Sequence, residues 1–494
     1  MPDNHRVLHV AAEVQPLIKT GGLADVAGAL PEALHTLGKD IRILMPGYGG
    51  TLERARATAR LHTIVEWPGA RLQETQLPGG CRIWLYETPA FRRRAGNPYD
   101  DPQGAPWPDN AERFDEFARV AAAIADDTLG LDWRPEIVHA HDWHTGLVPV
   151  HMQLARAPAA TVFTIHNLAY QGLFPLATRD ALGLPGWLDH WEALEFDGRM
   201  SLIKGGIGFA DRLTTVSGTY AREITTPAFG AGLEGLLASR GTDLVGIANG
   251  IDTHQWNPAR DPALPTPYDA DQPAGKREAR GALLRETGLQ ADETMPVIAY
   301  IGRLAEQKGV DLLVEALARI IARPAVVIVL GSGDPVLRDA LRRASGARPD
   351  RVFTRFDFDE AFAHRIYGGA DMLLMPSRFE PCGLSQLNAM RYGTIPIVRR
   401  TGGLAETVVD TDRTTLADGI ATGFQFDGDD ADSLAAAVRR ACDCFAEPAT
   451  WAALIDHAMR RDSGWARSAR AYRALYRDTL NARHRHLPPL SGGA

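Results

Sequence analysis

Short apolar runs alternate with longer amphipathic stretches along most of this 494-residue chain. The apolar runs predict buried strands, and the stretches between them have the three-to-four-residue spacing of helices. In the first half of the chain the predicted strands are residues 6–12, 40–45, 82–87, 136–139, 161–165, 212–216 and 244–248. Strands that alternate with helices in this way predict an α/β protein with parallel sheets.

The pattern is interrupted between residues 252 and 294, where prolines and charged residues replace the apolar runs. A second series then begins, with predicted strands at residues 296–301, 325–330, 351–356, 371–375 and 395–398. The interruption predicts a boundary near Gly250 and two doubly wound, Rossmann-like domains, at residues 1–250 and 251–462.

Two helical stretches, at residues 448–460 and 464–482, come before a tail rich in proline and glycine. We expect the last helix to cross back to the N-terminal domain and the tail to be frayed, which makes residues 463–494 a third segment.

Composition narrows the function classes. The chain is 45% hydrophobic and 23% charged with a formal net charge of −8, which fits a globular protein and argues against general nucleic-acid binding. It has no apolar run long enough to span a membrane and no secretion signal at its start. Its four cysteines are too few and too scattered for a disulfide framework. These features predict a soluble cytoplasmic protein that binds no membrane.

A glycine pair follows the first predicted strand, in the sequence Lys19-Thr20-Gly21-Gly22, and a helix is predicted from residue 24. Glycines let the backbone approach a ligand closely, and a helix N-terminus carries partial positive charge. With Lys19 beside it, this turn is predicted to bind an anion, most simply a phosphate.

A related turn follows the strand at residues 296–301 of the second domain, and Arg303 and Lys308 stand on either side of that turn. Ligands of open α/β sheets bind at the carboxyl ends of the strands. Two cationic turns, one in each domain, therefore predict a diphosphate held in a deep cleft between the domains.

Two loops that contain histidine, other polar residues and aromatic residues follow strands of the first domain. One contains His139, His141, Asp142 and His144, and the other begins at His166 and Asn167. Hydrogen-bonding and aromatic side chains suit a sugar, whose hydroxyls need several partners. The histidines and the aspartate also have the composition of a metal site, although no distant set of matching ligands stands out.

The segment from Pro376 to Gln386 follows the strand at residues 371–375. Glu380 precedes Pro381, which disfavours helix, so its carboxylate is expected in the loop and directed into the cleft. The backbone amides from Cys382 through Gly383 and Leu384 to Ser385 are expected to form a helix N-terminus that binds sugar hydroxyls or a phosphate oxygen. This segment is the predicted donor-sugar site.

Six motifs together resemble bacterial glycogen synthases and the plant starch synthases. They are Lys-Thr-Gly-Gly-Leu at 19–23, His-Asp-Trp-His at 141–144, His-Asn-Leu-Ala-Tyr-Gln-Gly at 166–172, Asn-Gly-Ile-Asp at 249–252, Gly-Arg-Leu-x-x-Gln-Lys-Gly at 302–309 and Ser-Arg-Phe-Glu-Pro-Cys-Gly-Leu at 377–384. The resemblance runs nearly end to end. It implies a GT-B fold and transfer of glucose from ADP-glucose to the 4-hydroxyl of an α-1,4-glucan end, with retention of configuration and without a metal or other cofactor.

The resemblance also implies roles for individual residues. Lys19, Arg303 and Lys308 would contact the ADP phosphates, and His166 and Glu380 would lie beside the transferred glucose. Asp25, Tyr99, Asp142 and Asn167 would lie toward the acceptor, with Asp142 counted among the catalytic residues. The implied donor-binding set is Lys19, Gly21, Gly22, Asn249, Phe358, Cys382, Gly383, Leu384 and Ser385.

This chain departs from the family pattern at three positions. Phe358 stands where a tyrosine often stacks on adenine, and Ser385 stands where threonine is usual. Asn388 stands where the wider class of retaining transferases has a second glutamate, so Glu380 alone is assigned a carboxylate role. The residues do not choose between ADP-glucose and UDP-glucose. A phosphorylase, a non-catalytic glucan-binding protein and a metal hydrolase are the alternative readings.

Overall fold

The computed structural model describes residues 5–94, 97–357 and 359–486, which divide into two compact units. The first unit contains the chain up to Asn249 and the segment from Trp465 onward, and the second is Gly250–Gly464. The chain therefore leaves the first unit once and returns to it for its last helix.

A nine-stranded sheet forms the centre of the first unit, in the order β12-β11-β7-β6-β1-β2-β5-β4-β3. The pairs from β12 to β5 are parallel, whereas β3 and β4 pair antiparallel at one edge. Three short antiparallel strands form a separate sheet in the order β8-β10-β9. The strands of this unit are β1 Arg6–Val10, β2 Asp40–Pro46, β3 His62–Trp67, β4 Ala70–Gln76, β5 Arg82–Glu87, β6 Ile137–His141, β7 Ala160–Ile165, β8 Leu173–Pro175, β9 Glu195–Phe196, β10 Arg199–Ser201, β11 Arg212–Thr215 and β12 Leu244–Gly246.

Helices cover both faces of this sheet, which explains why its parallel strands are buried. The α-helices of the first unit are Gly22–Thr36, Gly49–Thr58, Pro89–Arg92, Asn110–Ala125, Leu147–Leu154, Thr178–Ala181, Leu202–Phe209, Gly218–Glu223, Glu234–Ser239 and Ala466–His486. Single 3₁₀ turns lie at Trp143–Thr145, Gly186–Leu188 and Gly241–Asp243.

The second unit has a six-stranded, fully parallel sheet in the order β15-β14-β13-β16-β17-β18. Its strands are β13 Val297–Ile301, β14 Val326–Leu330, β15 Val352–Arg355, β16 Met372–Met375, β17 Ile395–Arg399 and β18 Phe424–Phe426. Its helices are Ala274–Thr287, Val310–Ile321, Pro335–Ala347, Glu360–Gly369, Ser385–Arg391, Gly402–Thr407, Arg413–Ala417, Ala431–Phe445 and Pro448–Arg460, with a 3₁₀ turn at Glu306–Lys308.

The last helix completes the core of the first unit. Trp465, Ala469, Tyr472 and Tyr476 are buried in the same apolar cluster as strands β1 and β6. The fold prediction of a C-terminal helix that returns to the N-terminal domain is confirmed. The predicted frayed tail lies largely beyond residue 486 and so outside the described residues.

The structure adds strands that were not predicted, namely β3, β4, β8, β9, β10 and β18. Strands β3 and β4 were missed because polar residues interrupt the apolar positions of both, and β3 is in addition the largely exposed edge strand of the sheet. Strand β6 continues to His141, so His139 and His141 lie within the strand and not in the loop that follows it. No helix among the described residues is long and apolar enough to cross a membrane.

Candidate active site

In the first cationic turn, two backbone amides bind a carboxyl group of the same chain. The Glu13 carboxylate accepts hydrogen bonds from the backbone amides of Thr20 and Gly21, the latter at 3.3 Å, just before the helix that begins at Gly22. Burial raises the pKa of Glu13 to about 7, although the two amide bonds act in the opposite direction. At the turn that is predicted to bind an anion, the Glu13 carboxyl group therefore already binds the amides of Thr20 and Gly21.

Lys19 forms an ion pair with Asp25, with 2.8 Å between Nζ and Oδ1. We predicted a donor role for the first residue and an acceptor role for the second, and the structure joins them on one turn of the first unit. A lysine ammonium has three donors, so this pair leaves Lys19 further hydrogen-bonding capacity.

Asp142 positions the segment at His166. Its Oδ1 accepts from the backbone amides of His166 at 2.7 Å and Asn167 at 3.4 Å. Asp142 has a φ of 60°, a left-handed conformation that turns the chain sharply after β6. Burial raises the pKa of Asp142 to about 7. In the structure its carboxylate therefore organises the backbone of the predicted sugar-binding loop.

The His166 ring is 9% exposed, and its Nε2 lies 3.0 Å from His141 Nδ1. Within the described part of the chain, its Nδ1 makes no hydrogen bond. Burial lowers the pKa of His166 to about 3, so the imidazole is neutral at physiological pH. A neutral imidazole has one donor and one acceptor nitrogen, and Nδ1 is the nitrogen left for a substrate group.

Three other predicted residues of the first unit have different contacts. Tyr99 stacks on His144 with ring centroids 4.2 Å apart, and Asn167 Oδ1 accepts from the Ala169 amide at 3.1 Å. Asn249 is 9% exposed, and its Oδ1 has no hydrogen-bond partner among the described residues. An unpartnered buried acceptor is costly, which fits a side chain that hydrogen-bonds a ligand.

A histidine cluster does form, but its members differ from those of the metal hypothesis. His9, His139 and His141 have ring nitrogens within 4.8 Å of one another. His9 takes the place of Asp142 and His144 in that set. His139 already uses both ring nitrogens, with Tyr476 Oη at 2.7 Å and Thr164 Oγ1 at 2.6 Å. These partners fit a hydrogen-bonded network and leave His139 without a lone pair directed at a shared ion.

In the second unit the structure brings together two of the predicted catalytic residues. Lys308 Nζ lies 2.6 Å from Glu380 Oε2, and Ser377 Oγ donates to the same oxygen at 3.0 Å. Glu380 is 7% exposed. Arg303 is exposed, and its Nη2 donates to Gln307 at 3.3 Å. A carboxylate, an ammonium and a guanidinium thus lie on two loops at the carboxyl ends of β13 and β16.

Arg378, which the sequence analysis did not single out, holds these two loops together. Its guanidinium forms a bidentate pair with Asp311 at 2.7 and 2.8 Å and donates to the Glu306 carbonyl at 2.7 Å. Its backbone amide donates to the Gln307 carbonyl at 2.8 Å. This contact lowers the pKa of Asp311 and raises that of Arg378. The acidic partner comes 67 residues earlier, so no local sequence signal identifies the pair.

The segment from Cys382 to Leu384 is a loop, and the helix begins at Ser385, later than the predicted helix N-terminus. Gly383 has a φ of +72°, and Gln386 Nε2 donates to the Cys382 carbonyl at 3.0 Å and the Gly383 carbonyl at 2.8 Å. A side chain at Gly402 would meet the Glu380 carbonyl oxygen at 2.0 Å. Close backbone packing therefore fixes the Glu380 loop. Phe358 lies outside the described residues.

Two family models match the chain. Residues 6–239 match the starch synthase catalytic domain, and residues 295–443 match the glycosyl transferases group 1. The first match covers most of the first unit, and the second lies within the other unit.

Similar proteins cover the chain nearly end to end. Glycogen synthase 1 of Methylococcus capsulatus is 50% identical over 96% of this chain and 97% of its own length. Glycogen synthase of Thioalkalivibrio sulfidiphilus is 47% identical over 96% of this chain and 100% of its own length.

Solved structures agree with this assignment. The catalytic domain of starch synthase IV from Arabidopsis thaliana, bound to ADP and acarbose, is 32% identical, with a TM-score of 0.87 over 97% of this chain and 100% of that one. A sucrose-phosphate synthase from Thermosynechococcus elongatus, at 19% identity and a TM-score of 0.59, shares the fold. The resemblance seen in the six motifs is confirmed: the chain has the GT-B fold and belongs to the glycogen and starch synthase family of glycosyltransferases.

Proposed function

We propose that this protein transfers glucose from ADP-glucose to the non-reducing 4-hydroxyl end of an α-1,4-glucan, with retention of configuration and release of ADP. The similar bacterial proteins are named glycogen synthases, and the similar plant structure holds ADP and acarbose, which support a nucleotide and a glucan as ligands. The four free cysteines fit a reducing compartment, and we place the reaction in the cytoplasm.

The observation that carries the proposal is the contact between Lys308 and Glu380 in the second unit. The ammonium has further donors for a phosphate oxygen, and the carboxylate has a second oxygen for a sugar hydroxyl. One ion pair thus presents both groups that a nucleotide sugar needs, at the strand ends where α/β sheets bind ligands.

In the reaction, Arg303 and Lys308 stabilise the charge that develops on the ADP leaving group as the glucosyl bond breaks. Glu380 lies beside the electron-deficient sugar carbon and balances its positive charge. His166 hydrogen-bonds the transferred glucose from the first unit. Lys19 contributes to the phosphates, Asp25, Tyr99 and Asn167 lie toward the acceptor, and Asp142 holds the His166 loop in place.

The proposal is tested by measuring ADP release and glucose incorporation with glycogen present, from ADP-glucose and from UDP-glucose, with and without a chelator. We expect incorporation from ADP-glucose that survives the chelator. Nucleotide release without incorporation, abolished by the chelator, would favour the metal hydrolase. Glycogen binding without incorporation from either donor would make the protein a non-catalytic glucan-binding protein.

The phosphate contacts are tested with Arg303→Ala and Lys308→Ala. Each variant should lower kcat by about 10²–10³-fold with the fold intact, as does removal of one donor to a developing oxyanion. Arg285→Ala, on the helix Ala274–Thr287 of the same unit, is a matched loss of one cation and should retain activity. Near-normal turnover of either loop variant would contradict the phosphate assignment.

A further inference from the structure

A chain of buried hydrogen bonds crosses one face of the first unit's sheet and ends at His166. From Tyr476 on the last helix, Oη lies 3.1 Å from His9 Nε2, and His9 Nδ1 lies 3.2 Å from His141 Nε2. His141 Nδ1 then lies 3.0 Å from His166 Nε2. His9 and His141 lie on the adjacent strands β1 and β6 and are fully buried.

A second series of hydrogen bonds also begins at the Tyr476 hydroxyl. Tyr476 Oη contacts His139 Nδ1 at 2.7 Å, and His139 Nε2 contacts Thr164 Oγ1 at 2.6 Å. Thr164 is hydrogen-bonded to Thr214 on the neighbouring strand β11. Among the described residues Thr214 Oγ1 makes no other hydrogen bond, and its side chain is fully buried. This series therefore ends at Thr214.

All four imidazoles of this chain are neutral at physiological pH. Burial lowers the pKa of His9 and His166 to about 3 and that of His139 and His141 well below the usual value. Each ring then has one N–H and one lone pair, and each hydroxyl has one hydrogen to donate. Every ring and hydroxyl inside the chain can therefore both donate and accept only if all the bonds run in the same direction.

The position of Thr214 at the end of the chain of hydrogen bonds favours one of the two directions. If the bonds run from His166 toward Thr214, the Thr214 hydroxyl accepts from Thr164 and its own hydrogen is buried without an acceptor. If they run from Thr214 toward His166, every hydrogen from Thr214 to His141 has an acceptor. Buried donors without partners are rarer and costlier than unfilled acceptor sites, which favours the second arrangement.

We propose that Tyr476 is a positioning residue that, through His9 and His141, holds His166 as the Nδ1–H tautomer, so that its free nitrogen donates a hydrogen bond to a sugar oxygen. In this arrangement Tyr476 accepts from His139 and donates to His9 Nε2. His9 donates to His141, His141 Nδ1–H donates to His166 Nε2, and the His166 proton is held on Nδ1.

The effect of Tyr476 on the His166 tautomer is independent of the reaction that the protein catalyses. Its effect on kcat rests on the proposed function. A metal at the His9, His139 and His141 cluster is the competing use of these rings. It would bind lone pairs of all three rings and break the directional chain.

The tautomer is measured by two-bond ¹H–¹⁵N NMR on the full-length protein labelled with ¹⁵N-histidine, with the His166 signals assigned by their loss in His166→Gln. We expect Nδ1 of His166 to carry the proton in the unsubstituted protein. Protonation at Nε2 would overturn the proposal, and so would stoichiometric bound zinc that shifts the His9, His139 and His141 nitrogens.

Tyr476→Phe removes the hydroxyl and keeps the ring. Tyr472→Phe is its matched control, because Tyr472 lies one turn away on the same helix and makes none of the bonds described above. In Tyr476→Phe we expect the His166 nitrogen signals to move toward a mixture of tautomers. Unchanged His166 signals would overturn the proposal even if the protein has no transferase activity.

The kinetic arm uses the same pair of variants. We expect kcat to fall about 10- to 100-fold in Tyr476→Phe, as when other residues that orient a functional histidine are lost, with little change in the KM for the nucleotide sugar. Tyr472→Phe should keep the unsubstituted kcat. If the two variants lose activity equally, the hydroxyl has a structural role and the proposal fails. If the unsubstituted protein makes no glucan, the proposed function fails, and the NMR result decides the tautomer alone.

Discussion

At the scale of single residues, Arg378 has no predicted catalytic or binding role, but its contacts position residues that do. Its guanidinium joins Asp311 and the Glu306 carbonyl, and its own loop carries Glu380. The 2.6 Å contact between Lys308 and Glu380 depends on both loops keeping their separation. A displacement of about 1 Å at a reacting centre can cost about 100-fold in rate.

Arg378→Ala should therefore lower kcat/KM for the nucleotide sugar by about 10- to 100-fold, measured by ADP release at limiting donor. Arg365→Ala is the matched control, because Arg365 forms an equivalent bidentate pair with Glu286 at 2.7 and 2.8 Å. That pair joins two helices of the same unit. Its loss should change the free energy of unfolding by about 1 kcal/mol or less and leave kcat/KM unchanged. Equal effects of the two substitutions would mean that Arg378 contributes general stability.

The buried carboxyl of Asp142 gives a prediction about pH. Burial raises its pKa from 3.8 to about 7, so the folded state holds a proton that the unfolded chain releases near pH 4. Stability then falls as pH rises from about 4 to 7, because the native state binds more protons in that range. Asp142→Asn keeps an oxygen acceptor for the His166 amide but removes the titration.

Urea unfolding of both proteins between pH 4 and 7 measures this contribution. The variant should gain free energy of unfolding relative to the unsubstituted protein as pH rises, by on the order of a few kcal/mol over the whole range. A difference between the two proteins that is constant with pH would show that the Asp142 pKa is not raised.

At the scale of elements, the sequence predicted strands best where both faces are buried. Val326–Leu330 is wholly apolar and was predicted within one residue of its start. The strands His62–Trp67 and Ala70–Gln76 were missed because polar residues interrupt their apolar positions and leave no continuous apolar run, even though the second strand buries Gln73 and Thr75. The motif loops were predicted from their residue types. The residues that hold these loops in place were not predicted, because Glu13, Arg378 and Tyr476 act through contacts that form only in the folded chain.

The turn at Gly309 tests whether backbone packing sets the geometry of the Lys308 loop. Gly309 has a φ of +64°, and a Cβ there would lie 2.0 Å from the Pro376 carbonyl oxygen. Gly288 has a similar φ of +71° with no atom within 4 Å of its Cβ position, so Gly288→Ala isolates the cost of the backbone conformation, about 1–2 kcal/mol.

Gly309→Ala should lower the free energy of unfolding by more than Gly288→Ala, because it also forces the Lys308 and Pro376 segments apart. It should reduce kcat as well, whereas Gly288→Ala should not. Both quantities are measured on the same preparations by urea unfolding and ADP release. If the two variants are equally stable and equally active, close packing at Gly309 does not hold the loop in place.

At the scale of the whole molecule, each unit has its own central sheet and its own buried core. The proposed phosphate contacts of Arg303 and Lys308 belong to the second unit, whereas the last helix belongs to the core of the first. Units with separate cores are expected to unfold as separate cooperative transitions. Ligand binding and core substitutions should therefore act on different transitions of the same chain.

Scanning calorimetry of the full-length protein should resolve two transitions. Trp465→Ala removes a ring that is 7% exposed, so it should cost the first unit about 3–5 kcal/mol in free energy of unfolding and lower the temperature of one transition. Gly309→Ala should lower the temperature of the other transition.

ADP at about 100 times its Kd should stabilise the unit whose transition Gly309→Ala lowers by about 2.7 kcal/mol and leave the other transition temperature unchanged. The added stability should shrink in Lys308→Ala, because that variant lacks a phosphate contact. If ADP instead raised the transition that Trp465→Ala lowers, the nucleotide would be bound chiefly by the first unit, through Lys19, and the assignment of the phosphates to Arg303 and Lys308 would be wrong.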